Sequence, residues 1–291
     1  MRRLIAAYEN GNYRVKLFSD GTKVRSTEDD EFICEFPDSI DLKITDYCDL
    51  SCPMCHERSS TLGHEGDLCA EFLNTLRPGT EVAIGGGNPL SHTGLIPFLM
   101  RMRRRGVICN LTLNGVHLLR SRDTVEELLS SGLIHGLGIS VSHYDPETVE
   151  FAESHENTVL HLINGVYSDL EALYGRGLKI LILGYKRFGR GADFYSDAVE
   201  EGISKMRELL PTLQDKFESI SFDNLALLQL GVRELIGEEK FSEMYMGDDG
   251  ESTMYVDLAG REFARSSTSE ERYALLDDIV EMFNKIRKTH K

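Results

Sequence analysis

The chain has 291 residues, 41% of them hydrophobic and 27% charged, with 32 Lys and Arg against 48 Asp and Glu for a formal net charge of −16. A chain of this length buries a core without staples and allows one large domain or two modest ones, and its composition excludes a disordered or low-complexity protein. The acidic balance repels a polyanion at long range and so argues against general nucleic-acid binding; with no signal-peptide-like apolar segment and no uninterrupted apolar run of about 18 residues, the expectation is a cytoplasmic protein without a membrane span.

In chain order, residues 1–36 read as a β-hairpin extension. Tyr13, Val15 and Leu17 alternate, Asp20-Gly21 supplies a turn, and Val24 continues the return strand. From Pro37 onward strands alternate with helices. Strands are expected at about Ile40–Thr45, Glu81–Ile84, Val107–Leu113, Leu137–Ser142, Val159–Ile163 and Leu178–Leu183, with a further one at Ser219–Phe222. Between them, Leu95, Ile96, Leu99 and Met102 share a helical face, and Val199, Ile203, Met206 and Leu210 mark a longer helix. Thr124 with Glu127, and Ser168 with Glu171, have the spacing of capping boxes. Toward the C-terminus, Met254, Val256 and Leu258 alternate, Ala259-Gly260 turns and Phe263 returns. Tyr273, Leu276, Ile279, Phe283 and Ile286 then recur at helical spacing. The expected division is an N-terminal hairpin over 1–36, a βα core over 37–230, and a hairpin-plus-helix extension over 231–291 packed on that core.

The βα alternation argues for an α/β fold with a parallel sheet covered by helices. Parallel strands buried on both faces read as continuous apolar runs, but several here alternate. Ile40, Leu42 and Ile44 sit between Asp41, Lys43 and Thr45. Leu111 and Leu113 sit between Asn110, Thr112 and Asn114, and Leu137, Ile139 and Val141 between Gly138, Ser140 and Ser142. One face is apolar and meets helices; the other is polar and lines something wet. A curved, partial barrel with a polar lumen fits this pattern better than a flat sheet.

Six cysteines are present, and Cys48, Cys52 and Cys55 lie together in ITDYCDLSCPMCHE (residues 44–57), just after the first core strand. Clustered thiols in a reducing compartment point to metal rather than disulfides. A C-x3-C-x2-C loop can wrap three thiolates around one iron–sulfur cluster, leaving one iron of a cubane open. The alternative is structural zinc, which needs a fourth ligand from His56 or Cys34 and ordinarily shows a second pair of ligands. Strand two ends in Gly85-Gly86-Gly87-Asn88-Pro89 and strand three in Leu113-Asn114-Gly115.

This order of motifs resembles the radical S-adenosylmethionine (radical SAM) enzymes across about residues 40–223, and the stretch YMGDDGESTMYVDL is similar to small members of that family without an auxiliary-cluster domain. The resemblance implies a partial (β/α)6 TIM-like barrel in which Cys48, Cys52 and Cys55 ligate a [4Fe–4S] cluster whose open iron takes the amino and carboxylate groups of S-adenosyl-L-methionine. It also implies cofactor contacts from Met54 near adenine, from Gly85, Gly86, Gly87 and Asn88 near the methionine end, and from Asn114, Ser140 and Ser142; Asn164 and Gly184-Tyr185 are looser candidates. Asn88 stands where the family usually has Glu, which replaces a charge-assisted acceptor by a neutral one. The implied reaction is reductive cleavage of S-adenosylmethionine to a 5′-deoxyadenosyl radical that takes hydrogen from substrate, fed by a single-electron donor such as flavodoxin or ferredoxin.

The substrate is left open between a small metabolite or nucleotide and a peptide or protein; the polar lumen and the basic stretch Lys186-Arg187-Phe188-Gly189-Arg190 favour the former. A non-catalytic iron–sulfur or zinc-binding module is the alternative of a different class. His56, Glu57, His64, Glu65 and Asp67 either shape the site entrance or form a solvated loop. Asp223-Asn224 ends the seventh strand, and Gly247–Gly250 reads as a plain turn. The arginines Arg101, Arg103, Arg104 and Arg105 suit a helix C-terminus. Cys34, Cys69 and Cys109 stand alone, with Cys109 on an apolar strand face, and no cysteine follows Cys109.

Overall fold

The period-2 segments form two sheets in the computed structural model, which describes residues 2–288. Strands β1 (Leu4–Asn10), β2 (Tyr13–Phe18) and β3 (Lys23–Ser26) make an antiparallel sheet of their own. The second sheet contains β4 (Ser39–Thr45), β5 (Glu81–Gly86), β6 (Ile108–Asn114), β7 (Gly136–Val141), β8 (Thr158–Ile163), β9 (Lys179–Leu183), β10 (Ser219–Phe222), β11 (Thr253–Asp257), β12 (Glu262–Ala264) and β13 (Tyr273–Ala274). Its order is β10-β9-β8-β7-β6-β5-β4-β11-β12-β13. Every neighbouring pair from β10 through β4 to β11 is parallel, and β11, β12 and β13 are joined antiparallel.

The helices are α1 (Leu95–Arg104), α2 (Gly115–Arg120), α3 (Arg122–Ser130), α4 (Pro146–Ser154), α5 (Arg190–Phe194), α6 (Asp197–Leu209), α7 (Asn224–Leu230), α8 (Val232–Ile236), α9 (Glu238–Met244) and α10 (Ile279–Lys288). The apolar strand face meets them. Ile40, Leu42 and Ile44 of β4 and Val82 and Ile84 of β5 share one core with Leu95, Phe98, Leu99 and Met102 of α1. Full burial of such a side chain contributes roughly 1.5–3 kcal/mol, so these rows account for much of the sheet–helix adhesion. The opposite face carries Asp41, Lys43, Asn110, Thr112, Asn114, Ser140 and His161, the polar lumen of a partial TIM-like barrel.

The first sheet sits on the N-terminal ends of the barrel strands. Lys23 pairs with Glu81 at the start of β5. Arg25 Nε lies 3.0 Å from Asp38, whose carboxylate also accepts from Asn10 Nδ2 at 2.8 Å and Tyr13 Oη at 2.9 Å. Lys179 Nζ reaches the Asp20 carbonyl at 3.3 Å.

All seven core strands expected from alternation are present, as are the Asp20-Gly21 turn and the β11–β12 hairpin. Five details differ. The N-terminal hairpin is a three-stranded meander, because Asn10-Gly11 makes a second turn in which Gly11 has φ +61°. A Cβ there would stand 1.7 Å from the Ile33 carbonyl oxygen. Thr124 lies inside α3 rather than at its cap, since Ser121 ends α2 and begins α3 together. Ser168 and Glu171 bracket a short 3-10 turn, Leu170–Leu173, that has no side-chain cap bond. Ile96 is 49% exposed, and Phe98 takes its place on the buried face of α1. Tyr273 belongs to β13, so the last helix begins only at Ile279.

Candidate functional site

The segment leaving β4 folds back on itself before it reaches β5. Asp46 N donates to His64 O, Ser60 N to Asp46 O and Cys48 N to Ser60 O, each at 3.0 Å. Inside this loop Cys55 N donates to Cys52 O at 3.2 Å, which closes the turn carrying two of the thiols. Ser51 and Arg58 hold left-handed backbone, at φ +51° and +53°, a conformation side-chain-bearing residues rarely adopt outside constrained loops. Cys48 is buried, and Cys52 and Cys55 are half-buried. Burial pushes the Cys48 and Cys52 thiols up, and repulsion among the three sulfurs adds to the shift. The set therefore pools thiol ligands that feel one another and give up protons on meeting a thiophilic metal, the donor chemistry an iron–sulfur cluster requires.

Three elements brace the loop. The glycine run at the end of β5 is the first. Gly87 N donates to Thr45 O at 2.8 Å and Asn88 N to Tyr47 O at 2.7 Å. A Cβ on Gly86 would stand 2.4 Å from Thr45 O, and one on Gly87 2.1 Å from Tyr47 O. These two glycines let β5 lie directly against the cysteine loop, while at Gly85 the space toward the lumen is open. Asn88 Oδ1 accepts from Leu90 N at 3.2 Å and starts the Pro89–Ser91 turn, leaving its second lone pair for another donor.

Arg190 is the second brace. Its Nε donates to Cys52 O at 2.9 Å and its Nη1 to Ser59 O at 3.0 Å, while its backbone N donates to Cys55 O at 3.0 Å. The loop from β4 is thereby tied to the segment after β9. The third is α2, where His117 is 2% exposed. His117 Nε2 lies 2.7 Å from Asp49 Oδ1, and Arg120 Nη1 2.7 Å from Asp49 Oδ2. A ring nitrogen of His117, an Asp49 oxygen and Cys48 Sγ fall within 4.8 Å of one another.

Beneath the loop, Lys43 Nζ lies 2.6 Å from Asp46, 2.7 Å from Glu57 and 2.9 Å from Asp257. Burial works against the Lys43 ammonium, but the Glu57, Asp46 and Asp257 carboxylates outweigh it and hold the group charged. Burial likewise opposes the Glu57 carboxylate, and its partners His56 and Lys43 hold it well below the usual range. Deeper in the lumen, burial brings Asp41 to about 6, with Asp249 and Asp223 adding to the shift and Lys186 opposing it. The Asp41 carboxylate opens into the cavity while the barrel surrounds it. Burial lowers His161 to about 4. Its ring lies over Gly138, where a Cβ would approach it to 2.3 Å.

The remaining expected positions gather at the C-terminal edge of the sheet. Asn114 and Ser140 are register partners on β6 and β7. Asn114 Oδ1 accepts from Val116 N at 3.0 Å and caps α2. Ser142 lies just past β7, with Oγ 3.1 Å from His143 Nδ1. Met54 is half-buried in the turn between Cys52 and Cys55. Asn164 is fully buried and bonded to Gln229, which also receives the Tyr185 N–H.

Other polar candidates serve the scaffold. His64 Nε2 lies 3.1 Å from Ala259 O, and Glu65 accepts from Thr93. Asp67 accepts from Cys69 N, and Asp223 from Gly184 N and Ala226 N. Within the basic stretch, Lys186 donates to Ser267, Arg187 faces Glu200 and the Tyr195 ring, and Arg190 is the brace described above. Cys34 donates to Glu251 O, Cys69 is exposed, and burial takes Cys109 up to about 12. Sequence reading missed the Lys43, Arg190 and Asp49–His117 contacts. Lys43 left a trace only as one of the polar residues that alternate along β4, and Arg190 only as a member of the basic stretch.

Comparison with solved structures places this architecture beside SuiB of Streptococcus suis. SuiB bound to the precursor peptide SuiA superposes with a TM-score of 0.62 at 16% identity, over 88% of this chain and 67% of that one. SuiB bound to S-adenosylmethionine gives 0.57 at 13%, over 83% and 64%. A further SuiB structure gives 0.57 at 14%, over 86% and 66%. The chain thus spans about two thirds of the SuiB length. No protein-family model and no curated protein sequence matches it. This chain and SuiB share one fold, a partial (β/α) barrel.

Proposed function

We propose that this protein is a radical SAM enzyme. The observation that carries the reading is the placement of C-x3-C-x2-C: it leaves the first barrel strand at the C-terminal edge of the sheet, in a fold shared with a protein crystallised with S-adenosylmethionine. Active sites of α/β barrels collect at that edge. Cys48, Cys52 and Cys55 would hold a [4Fe–4S] cluster. When bound, that group supplies the electron that cleaves S-adenosylmethionine to methionine and a 5′-deoxyadenosyl radical. The chain's own part is to orient and to exclude water. Gly85 leaves room for close approach from the lumen, Asn88 offers a neutral acceptor, and Asn114, Ser140 and Ser142 line the rim beside them, with Met54 in the cysteine turn. Structural zinc is less well served: Cys34 is turned to Glu251 O, and His56 Nε2 faces Glu57.

The substrate reading follows from how the lumen charges are used. Arg190 is committed to loop carbonyls, and Asp41, Asp223 and Asp249 leave little attraction for an anionic metabolite. SuiB was crystallised with a precursor peptide. A peptide or protein substrate is therefore the reading we favour, with a single-electron donor of the flavodoxin or ferredoxin type.

Anaerobic iron–sulfide reconstitution followed by EPR of the dithionite-reduced protein, with and without S-adenosylmethionine, tests the proposal. The expected result is a [4Fe–4S]+ signal that changes on adding the cofactor, with 5′-deoxyadenosine formed on turnover. A cluster indifferent to the cofactor would support the binding-module reading, and a colourless zinc protein would remove the radical mechanism.

A further inference from the structure

Lys43 sits on β4 directly opposite Asp257 of β11 in the parallel register. Its ammonium has three N–H donors, and three carboxylates surround it. Asp46 lies two residues before Cys48, Glu57 two residues after Cys55, and Asp257 is 214 residues away in the chain. The Lys43 and Asp257 side chains are each 8% exposed. Asp257 is itself fixed, because its Oδ1 accepts from Gly260 N at 2.7 Å in the β11–β12 turn. Tyr255, two residues earlier on the same strand face, donates to Glu57 at 3.2 Å.

One cation among three carboxylates is a costly way to fasten two strands. Desolvation offsets much of the gain from a buried ion pair, and apolar residues of similar volume often hold as well. What apolar packing cannot do is grip both ends of an irregular loop through directed bonds. We infer that Lys43 and Asp257 are positioning residues for the cysteine loop, so that β11 completes the cluster site. The inference rests on the proposed function for the cluster but not for the loop geometry. With one cation against three carboxylates, the Lys43 group is itself net negative, and its charges bear on the cost of adding an electron to a cluster above it.

The test uses the full chain with Lys43→Met, Lys43→Arg and Asp257→Ala. In the metal-free protein, hydrogen exchange of the amides of residues 46–66 is expected to quicken at least about tenfold in Lys43→Met and Asp257→Ala, as for local opening once a buried ion pair is broken. Exchange in β6, β7 and β8 should stay at the wild-type level, and Lys43→Arg should restore protection. In reconstituted protein the midpoint potential should fall in Lys43→Met and rise in Asp257→Ala, because charges of opposite sign are removed. Unchanged loop exchange in either variant, or potentials that move together or not at all, overturns the inference. If the wild type takes up no cluster, the functional proposal fails while the exchange experiment still decides the role of the strut.

Discussion

At Asp41, desolvation comes first: the barrel wall around the open cavity disfavours the carboxylate, Asp249 and Asp223 add repulsion, Lys186 offsets part of it, and the group sits near 6. In the unfolded chain an aspartate titrates near its ordinary value. Below that value both states are protonated and Asp41 is neutral in its effect. As pH rises from there to about 6, the unfolded chain ionises more readily, so the fold loses stability, and the loss is constant above. Asp41→Asn should therefore raise the thermal midpoint near neutral pH, with the gain vanishing by about pH 3 in a series of melts from there to neutrality. Arg190 works through bonds rather than titration. Arg190→Met removes the donors to Cys52 O and Ser59 O, and each unsatisfied acceptor costs about 1–3 kcal/mol. The melt should fall by several degrees and the iron bound per chain by more than half, with Arg190→Lys intermediate because one ammonium cannot span both carbonyls as the guanidinium fork does.

The contact between β5 and the cysteine loop is a backbone-to-backbone surface, and glycine makes it. Gly87→Ala places a methyl group 2.1 Å from Tyr47 O. The loop must move off the strand end, at about 1–3 kcal/mol for forced overpacking. The expected outcome is a chain with native circular dichroism that retains little iron after reconstitution; an iron content equal to wild type would contradict it. How legible these elements were depended on what sets them. The barrel strands were readable because Ile40, Leu42 and Ile44, like Leu111 and Leu113, alternate with polar lumen residues. β1 was not, since Leu4-Ile5-Ala6-Ala7 shows no alternation, although Asn10-Gly11 marks its turn. Thr124 and Ser168 had the right spacing for caps, but a helix start depends on where the preceding turn ends, and Ser121 sets it for α3. Of the site, the cysteines and glycines were visible as a local motif. Lys43, Arg190 and His117 were not, because their partners are set by strand order and by how the loop folds back, which no local spacing encodes.

Across the whole molecule, the N-terminal sheet is held to the barrel by a buried charge. Asp38 is fully buried and Arg25 nearly so. Arg25→Met strands that carboxylate among Asn10, Tyr8 and Tyr13, and removing one partner of a buried pair typically costs about 3–5 kcal/mol. Urea unfolding should show the loss as a lower midpoint, and a change below about 0.5 kcal/mol, as at an ordinary surface site, would mean the pair is not holding the two sheets together. The position of β11 has a consequence for the order of events in synthesis. The chain emerges from the ribosome N-terminus first, so β4, β5 and the cysteine loop are available long before β11, which pairs with the other edge of β4. Lys43 waits 214 residues for Asp257. During that interval the loop carries its thiols without its last anchor, and the edge of β4 that β11 will cover is open to other strands. A nascent chain halted before β11 should therefore leave the cysteines more reactive toward a thiol reagent than the finished protein does, and a strand translated late would be the one that secures the first strand of the barrel.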